Sequence, residues 1–278
     1  MGELLRADFR RVLKDKLLIV MGILAVVFAV ITPLLYTVIF SGMGTAESEM
    51  AEEMLAGYIS GKAQFFGSFS MGNNLGLIAP ILLGIVLCKD FSYGTVRNKI
   101  IAGKSRSAIF LSLFVTCSVV FVSVMLLHAF ITLGVSLIFF DYQATAFTLS
   151  DFWYFLESLA FEILTLLFVS ALLSWLCVNT KNVGLVIVLY VAVSLALVMA
   201  GSITQMVVTV LETTGGNDRM VKLLLFLSRI NVGNSVTYIG MGTQYILEDV
   251  LYLTIPAGVG ILGFIGHGLL RFNKKDLK

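Results

Sequence analysis

The sequence predicts an all-α membrane protein with six transmembrane helices, an N-terminal amphipathic interfacial helix and a short cytoplasmic helix between spans 2 and 3. Of the 278 residues, 58% are hydrophobic and 13% are charged, whereas soluble domains carry roughly 25% charged residues. The mean hydropathy is +0.97. Long uncharged runs recur along the chain, and basic residues collect between alternate runs. Together these observations exclude an ordinary soluble enzyme.

The uncharged runs set the positions of the six spans. A helix rises about 1.5 Å per residue, so about 20 apolar residues cross a hydrocarbon core about 30 Å thick. The segment 152–203 is long enough for two spans, and we place the break at Asn179–Asn182 because such polar residues mark turns. The chain is therefore predicted to be one transmembrane domain, 1–278, with spans at 17–40, 65–87, 107–140, 152–178, 183–203 and 251–270.

Residues 1–16 have the pattern of a short basic amphipathic helix. Its predicted apolar face holds Leu5, Phe9, Val12 and Leu13. Its predicted basic face, on the opposite side, holds Arg6, Arg10, Arg11 and Lys14. A helix of this kind is suited to lie at the cytoplasmic membrane surface, although an ordinary basic flank of the first span would show a similar composition.

The segment 204–250 is too long for a loop without structure of its own. Within it, Met220–Ile230 is too apolar for a free loop and too short to cross the bilayer. We therefore expect a re-entrant or interfacial helix here, with Asp218 as its candidate N-cap.

The distribution of basic residues predicts the orientation of the chain. Fifteen of the 19 Lys and Arg residues fall in 1–16, 88–106, 179–182 and 271–278. The other four, Lys62, Arg219, Lys222 and Arg229, fall in the intervening segments. Because basic residues favour the inner side of a membrane, we expect a multi-pass protein of a bacterial plasma membrane with both termini in the cytoplasm.

Several classes of partner and cofactor are not expected. The formal net charge of +2 provides no basic field for nucleic acid. The three cysteines lie far apart in the sequence, without the spacing of a metal site. Residues 57–63 and 103–105 only partly match a phosphate-binding loop, so we expect no nucleotide or metal to be bound by this chain.

The segment 88–106 carries the most informative motif. Gly94 permits a sharp turn, and Thr95 can cap a short helix that begins after it. Gly103 can end that helix, and Ser105 or Ser107 can start the third span. The predicted result is a short helix parallel to the membrane, presented to the cytoplasm, that could dock into a groove on a partner protein.

This segment resembles the ABC-2 family of ATP-binding-cassette transporter permeases. The resemblance rests on an acidic residue after span 2, then Gly-Thr, a basic residue and a turn ending in Arg: Asp90, Gly94, Thr95, Arg97, Gly103 and Arg106. Members of that family often have Glu in place of Asp90 and Pro in place of Gly103, which are mild departures. The plan of the whole chain, with an N-terminal helix, six spans and a long outer segment before the last span, is also similar.

The resemblance implies that the short helix is a coupling helix, which contacts a separate ATPase subunit. The residues implied in coupling are Asp90, Tyr93, Gly94, Thr95, Arg97, Asn98, Lys99, Gly103, Lys104 and Arg106. Two copies of the ABC ATPase subunit, carrying ATP and Mg, would join this chain and a second permease chain, identical or paralogous. The chain is also similar to peptide-export and bacteriocin-immunity permeases, which implies an amphipathic or antimicrobial peptide, a lipid or a drug as substrate.

Polar residues within the spans are candidates for a substrate path, because ionisable groups in a bilayer are costly and often functional. Depth estimates from helical rise place His128 and Glu162 near mid-membrane, and we hypothesise a contact between them. The Asn-rich start of span 2 can line a path, bond across a permease dimer or bond within the subunit. The candidate residues are Asn73, Asn74, His128, Glu157 and Glu162.

Two other functions remain open at this point. An ion-coupled secondary transporter or channel could use His128 and Glu162 as a proton path, although no internal repeat is visible between the halves. An intramembrane enzyme would need a catalytic pair at one depth, and only the same two residues could form one. Both alternatives predict function without an ATPase partner.

Overall fold

The computed structural model describes residues 1–42, 60–70, 75–139, 148–215, 217–235, 237, 239–240 and 244–274. All regular secondary structure in these ranges is helical. The helices are α1 Gly2–Leu13, α2 Lys16–Gly42, α3 Gly61–Gly67, α4 Ile78–Ser92, α5 Thr95–Ile101, α6 Arg106–Phe139, α7 Leu149–Thr180, α8 Val183–Thr214, α9 Asp218–Ile230, α10 Val232–Ser235 and α11 Leu247–Lys274.

Five of these helices, α2, α6, α7, α8 and α11, are long and apolar enough to cross a membrane. A sixth crossing is formed if α4 and α5, which are bent by 51° at the turn between them, count as one broken span. The predicted all-α architecture is thus confirmed, with five to six helices in the described chain that are long and apolar enough to cross a membrane.

Helices α6 and α7 form the centre of the bundle, since they are the most buried of the long helices. Helix α11 packs along α7 and α6, α2 packs along α6, and α8 packs along α4 and α7. The main core consists of side chains from these helices, and it extends to Leu4 and Val12 of α1. Helix α1 is therefore attached to the bundle.

The chain segments that connect the long helices lie at the two ends of the bundle. At one end, the Ser92 hydroxyl donates to the Lys181 carbonyl at 3.3 Å, and the Arg106 guanidinium donates to the Asn273 carbonyl at 3.1 Å. We call this the N-terminal end, since α1 also lies there, bonded through Glu3 to Lys104. The structure therefore brings together the segments that the sequence grouped by their basic residues.

The second predicted span, 65–87, is wrong as a single segment. Helix α3 ends at Gly67, and α4 begins only at Ile78, after a turn in which Gly76 has a φ of +43°. The 15 residues of α4 rise about 22 Å at 1.5 Å per residue, which is less than the thickness of a hydrocarbon core. The positive φ at Gly76 explains why one apolar run does not form one helix.

The break between spans 4 and 5 lies where polar residues predicted it. Helix α7 ends at Thr180, and its C-cap Lys181 has a φ of +55°. The Asn182 side chain caps α8 by accepting a 3.1 Å hydrogen bond from the Leu185 N–H. Helix α8 runs on to Thr214, past the predicted end at residue 203. The cap of α9 is Asn217, whose side chain accepts from the Arg219 N–H, so the prediction of Asp218 as the cap is wrong.

Helix α1 is present, and its predicted faces are right only in part. Val12 and Phe9 of the predicted apolar face pack against the core, but the fully buried residues are Leu4, Asp8 and Val12, which are spaced four apart. Leu13, which was predicted on the apolar face, is 62% exposed. Ion pairing as well as hydrophobicity determines which face of α1 is buried. The positions of the apolar residues alone therefore do not predict that face.

The opposite end is held by an aromatic cluster beneath α3. The Tyr245 ring stacks on Tyr154 and meets Phe161 edge to face. Phe65 of α3 stacks on Phe155 of α7. This second core joins α3, α6, α7 and the start of α11.

Candidate functional site

Four ion pairs join α1 and Asp15, which lies two residues after it, to the segment 88–106. Along the two segments the partners run in opposite directions, so the contacts form an antiparallel series, which we call the ion-pair ladder. Its members are Glu3–Lys104 at 3.0 Å, Asp8–Lys99 at 2.5 Å, Arg11–Asp90 at 2.7 Å and Asp15–Lys89 at 3.0 Å.

The centre of the ladder is buried. Asp8 and Asp90 are each 1% exposed. Asp8 accepts a hydrogen bond from the Lys99 ammonium and a second one, at 2.6 Å, from the Ser112 hydroxyl of α6. Lys99 also lies 3.5 Å from Asp90. Two acids and two cations therefore compensate one another, as buried charges require.

The two ends of the ladder are more exposed. A hydrogen bond from Lys104 lowers the pKa of the exposed Glu3. Partial burial raises the pKa of Asp15, but hydrogen bonds from the Leu17 N–H and the Lys89 ammonium lower it by more. The pKa of Asp15 therefore lies below its ordinary value of 3.8.

We expect the Asp15–Lys89 pair to stabilise the fold above pH 3.8, the ordinary pKa of Asp15. Because folding lowers this pKa, the contribution of the pair is lost as the pH falls through the lowered value. Asp15→Asn should therefore reduce the melting temperature at neutral pH, and its difference from wild type should shrink in acid. Glu212→Gln, at an exposed acid on α8, is the control. An Asp15→Asn effect of constant size across the titration would contradict this assignment.

Two glycines determine the backbone path of the segment 88–106. Gly94 has a φ of +73° at the bend between α4 and α5, a conformation that residues with a Cβ rarely adopt. Gly103 has a φ of +79° just after α5, where its N–H donates to the Ile100 carbonyl. The bend thus lies at Gly94, and α5 ends before Gly103. Thr95 is the first helical residue and makes no side-chain cap, so its predicted capping role is wrong.

The segment presents two different faces. On the inner face Val96 is buried against the bundle, and Asp90 and Lys99 belong to the ladder. On the outer face Tyr93 and Ile101 are 77% and 75% exposed. The outer face also includes exposed Arg97, Asn98 and Gly103. We call this set the outer face of α5.

The remaining implied coupling residues contact other parts of the chain. Lys104 pairs with Glu3. The Arg106 guanidinium donates to the carbonyls of Phe272 and Asn273 at 3.2 and 3.1 Å, which ties the start of α6 to the end of α11. The predicted set therefore divides into residues that hold the segment in place and residues that face outward.

A comparison with protein families bears on this segment. A family model described as DUF2705, protein of unknown function, matches residues 61–278. The chain belongs to the DUF2705 family. No curated protein matches it. The matched range of this DUF2705 chain contains the segment 88–106, whereas the residues of α1 that complete the ladder precede the range.

The predicted substrate-path residues of this DUF2705 protein differ in their burial. His128 is 1% exposed, and neither ring nitrogen has a hydrogen-bond partner among the described residues. Glu162 is buried and lines a cavity of about 10 Å³ with Ser68 and Met125, about the room that one water needs. No hydrogen bond joins His128 to Glu162. Glu157 is exposed, and Asn73 and Asn74 lie outside the described residues.

Sequence reasoning missed five members of the site: Asp8, Arg11, Asp15, Lys89 and Ser112. Arg11 was assigned to the outward basic face, but it points inward to Asp90. One signal was available, since Asp8 lies four residues from both Leu4 and Val12. An acid in the middle of such a stripe indicates a buried partner of opposite charge.

Proposed function

We propose that this protein is the transmembrane permease subunit of an ABC-2 type exporter, which moves substrate across the membrane with ATP hydrolysed by a separate ATPase subunit. The observation that carries the proposal is the outer face of α5. It is an exposed surface on a short helix that the ion-pair ladder holds against α1, α4 and α6. The resemblance of the segment to a coupling helix gives this surface its partner.

The ladder suits the segment to transmit motion. A helix that moved independently of the bundle would absorb the motion of a partner, whereas a helix fixed by buried ion pairs passes it on. Through Asp8, Lys99 is linked to Ser112 on α6, and Asp90 lies on α4 itself. In our proposal, displacement of α5 by the ATPase shifts α1, α4 and α6 together.

The orientation and assembly belong to the same proposal. The N-terminal end faces the cytoplasm of a bacterium, since it collects most of the basic residues. The chain then has six spans. Helix α4 is the second of them, and α5 follows it at the cytoplasmic surface, beyond the 51° bend. Two permease chains and two ATPase chains make one transporter, and the substrate is an amphipathic or antimicrobial peptide, a lipid or a drug.

We expect the tagged protein, purified from its native membrane in mild detergent, to bring with it a stoichiometric ATPase chain. Arg97→Ala with Tyr93→Ala should remove that chain, because both side chains are exposed on the outer face of α5 and aromatic and Arg side chains often dominate interfaces. Arg271→Ala is the matched control, since Arg271 is an exposed cation of α11. Mass spectrometry and ATPase assays provide the measurements.

Two outcomes of this purification would count against the proposal. The first is an intact protein that purifies alone and shows no associated ATP hydrolysis. The second is equal loss of the partner in the Arg271→Ala control and in the α5 variant, since the contact would then be unspecific.

The alternative function is ion-coupled transport or a channel. It is favoured by one observation, the burial of His128 without a hydrogen-bond partner in the described chain. In that case His128→Gln and Glu162→Gln should each abolish proton-driven flux in reconstituted vesicles, and the α5 variant should transport normally. The two functions therefore differ in which set of substitutions stops transport.

A further inference from the structure

Three cations form a stripe along the outer side of α1 and its C-cap residue. Arg6, Arg10 and Lys14 are spaced four residues apart, so they line one side of the helix. All three are exposed. In the described part of the chain none of them has an ion pair or a hydrogen bond from its side chain, whereas Arg11 and the acids of α1 are used in the ladder. We call these three residues the basic stripe.

The basic stripe lies at the margin of an apolar surface. Leu13, beside the stripe at the end of α1, is 62% exposed, and the first span begins at Lys16. Ile19 and Ile23, on the first turns of that span, are also exposed. Because a spanning helix exposes such side chains to lipid tails, the stripe lies at the level where the headgroups begin.

We propose that the basic stripe binds the phosphate groups of anionic phospholipids in the leaflet at the N-terminal end. Guanidinium groups match phosphate oxygens with paired hydrogen bonds, and an ammonium adds a further positive charge. The adjacent exposed Leu13 favours a lipid over a soluble anion, since it has an apolar place to insert only in the membrane. This proposal goes beyond the permease function and does not depend on it.

The affinity expected from the stripe follows from its charge. A cation near an anionic membrane surface strengthens binding by about fivefold, so three of them together give about 100-fold. Asp8, at the buried centre of the ladder, lies on the other side of the same helix. Lipid bound at the stripe would therefore fix the height of α1, and with it the segment 88–106, relative to the membrane.

The test uses the full-length protein in detergent micelles, titrated with phosphatidylglycerol or with phosphatidylcholine. We expect the wild type to prefer phosphatidylglycerol, and salt to weaken that preference. The variant Arg6→Gln, Arg10→Gln, Lys14→Gln should lose about 100-fold of its phosphatidylglycerol affinity and keep its phosphatidylcholine affinity. Retained lipid is measured by native mass spectrometry, and folding by circular dichroism.

Three further variants make the outcome decisive. Arg6→Lys with Arg10→Lys preserves the charge and should keep most of the preference, and Arg6→Gln alone should lose about fivefold. Arg271→Gln with Lys274→Gln removes exposed cations from α11 and should leave binding unchanged. The proposal is overturned if the wild type shows no preference for phosphatidylglycerol, or if the triple variant keeps it. Loss of a co-purifying protein from the triple variant, with lipid binding intact, would instead make the stripe a protein-docking surface.

Discussion

Replacing Asp8 with alanine is expected to lower the free energy of unfolding by about 3 kcal/mol, the lower part of the range for removing one partner of a buried ion pair. The substitution leaves the Lys99 ammonium in a site where its side chain is 13% exposed, and it leaves the Ser112 hydroxyl without its acceptor. Asp90, 3.5 Å from Lys99, limits the loss. Unfolding by titration with a denaturing detergent measures the change.

Two other substitutions are expected to give smaller losses of unfolding free energy than Asp8→Ala. Ser112→Ala removes one hydrogen bond and should cost about 1 kcal/mol. Glu3→Ala breaks the exposed pair with Lys104 and should leave the free energy of unfolding nearly unchanged. If Asp8→Ala and Glu3→Ala gave equal losses, the buried centre of the ladder would not be the stabilising part.

The same Asp8 variant should also release the segment 88–106 from α1. Arg97 and Lys99 lie within it, and trypsin cleaves after such residues only where the backbone can open locally. We therefore expect faster tryptic cleavage in α5 of Asp8→Ala than of wild type. Unchanged cleavage would mean that Val96 and the contact between Lys99 and Asp90 hold α5 without Asp8.

The spans were largely predictable because their cause is local. A run of about 20 apolar residues must cross or be buried, whatever surrounds it, and the runs now seen as α2, α6 and α7 were placed within a few residues. The break at Asn179–Asn182 was predictable for the same reason, since a polar turn interrupts an apolar run. The second span was not predictable in this way. The chain breaks before α4 at Gly76, which has a positive φ, and a hydropathy pattern contains no information about φ.

Of the two parts of the candidate site, only the segment 88–106 was predictable from the sequence, whereas its partners on α1 were not. Gly94 and Gly103 mark the segment 88–106 in the sequence, but its partners on α1 lie about 90 residues away along the chain. Composition shows that acids and cations are present without showing which of them meet. Similarly, helical rise gives the depth of His128 and Glu162 but not the rotation of either helix about its axis, so their failure to bond could be learned only from the structure.

At the end of the bundle opposite the N-terminal end, the largest effect is expected from replacing Gly240 with alanine. We expect this substitution to lower the free energy of unfolding by about 4 kcal/mol or more, which is exceptionally large for a single substitution. Gly240 has a φ of +77°, and a Cβ there would overlap the Phe66 carbonyl oxygen. That oxygen belongs to the backbone of α3 and accepts a hydrogen bond from the Phe69 N–H. It cannot swing aside as a side chain would, so the two backbones must separate.

Separation at Gly240 would disturb more than one contact. The Gly240 N–H donates to the Tyr245 hydroxyl at 3.1 Å, and that hydroxyl also bonds Ser158 of α7 at 3.0 Å. Gly263→Ala is the matched control, because nothing lies within 4 Å of a Cβ at that position. Unfolding in denaturing detergent should show the loss in Gly240→Ala alone. An equally stable Gly240→Ala protein would mean that α3 can move away from residues 239–240 at little cost, and that the aromatic cluster alone holds this end closed.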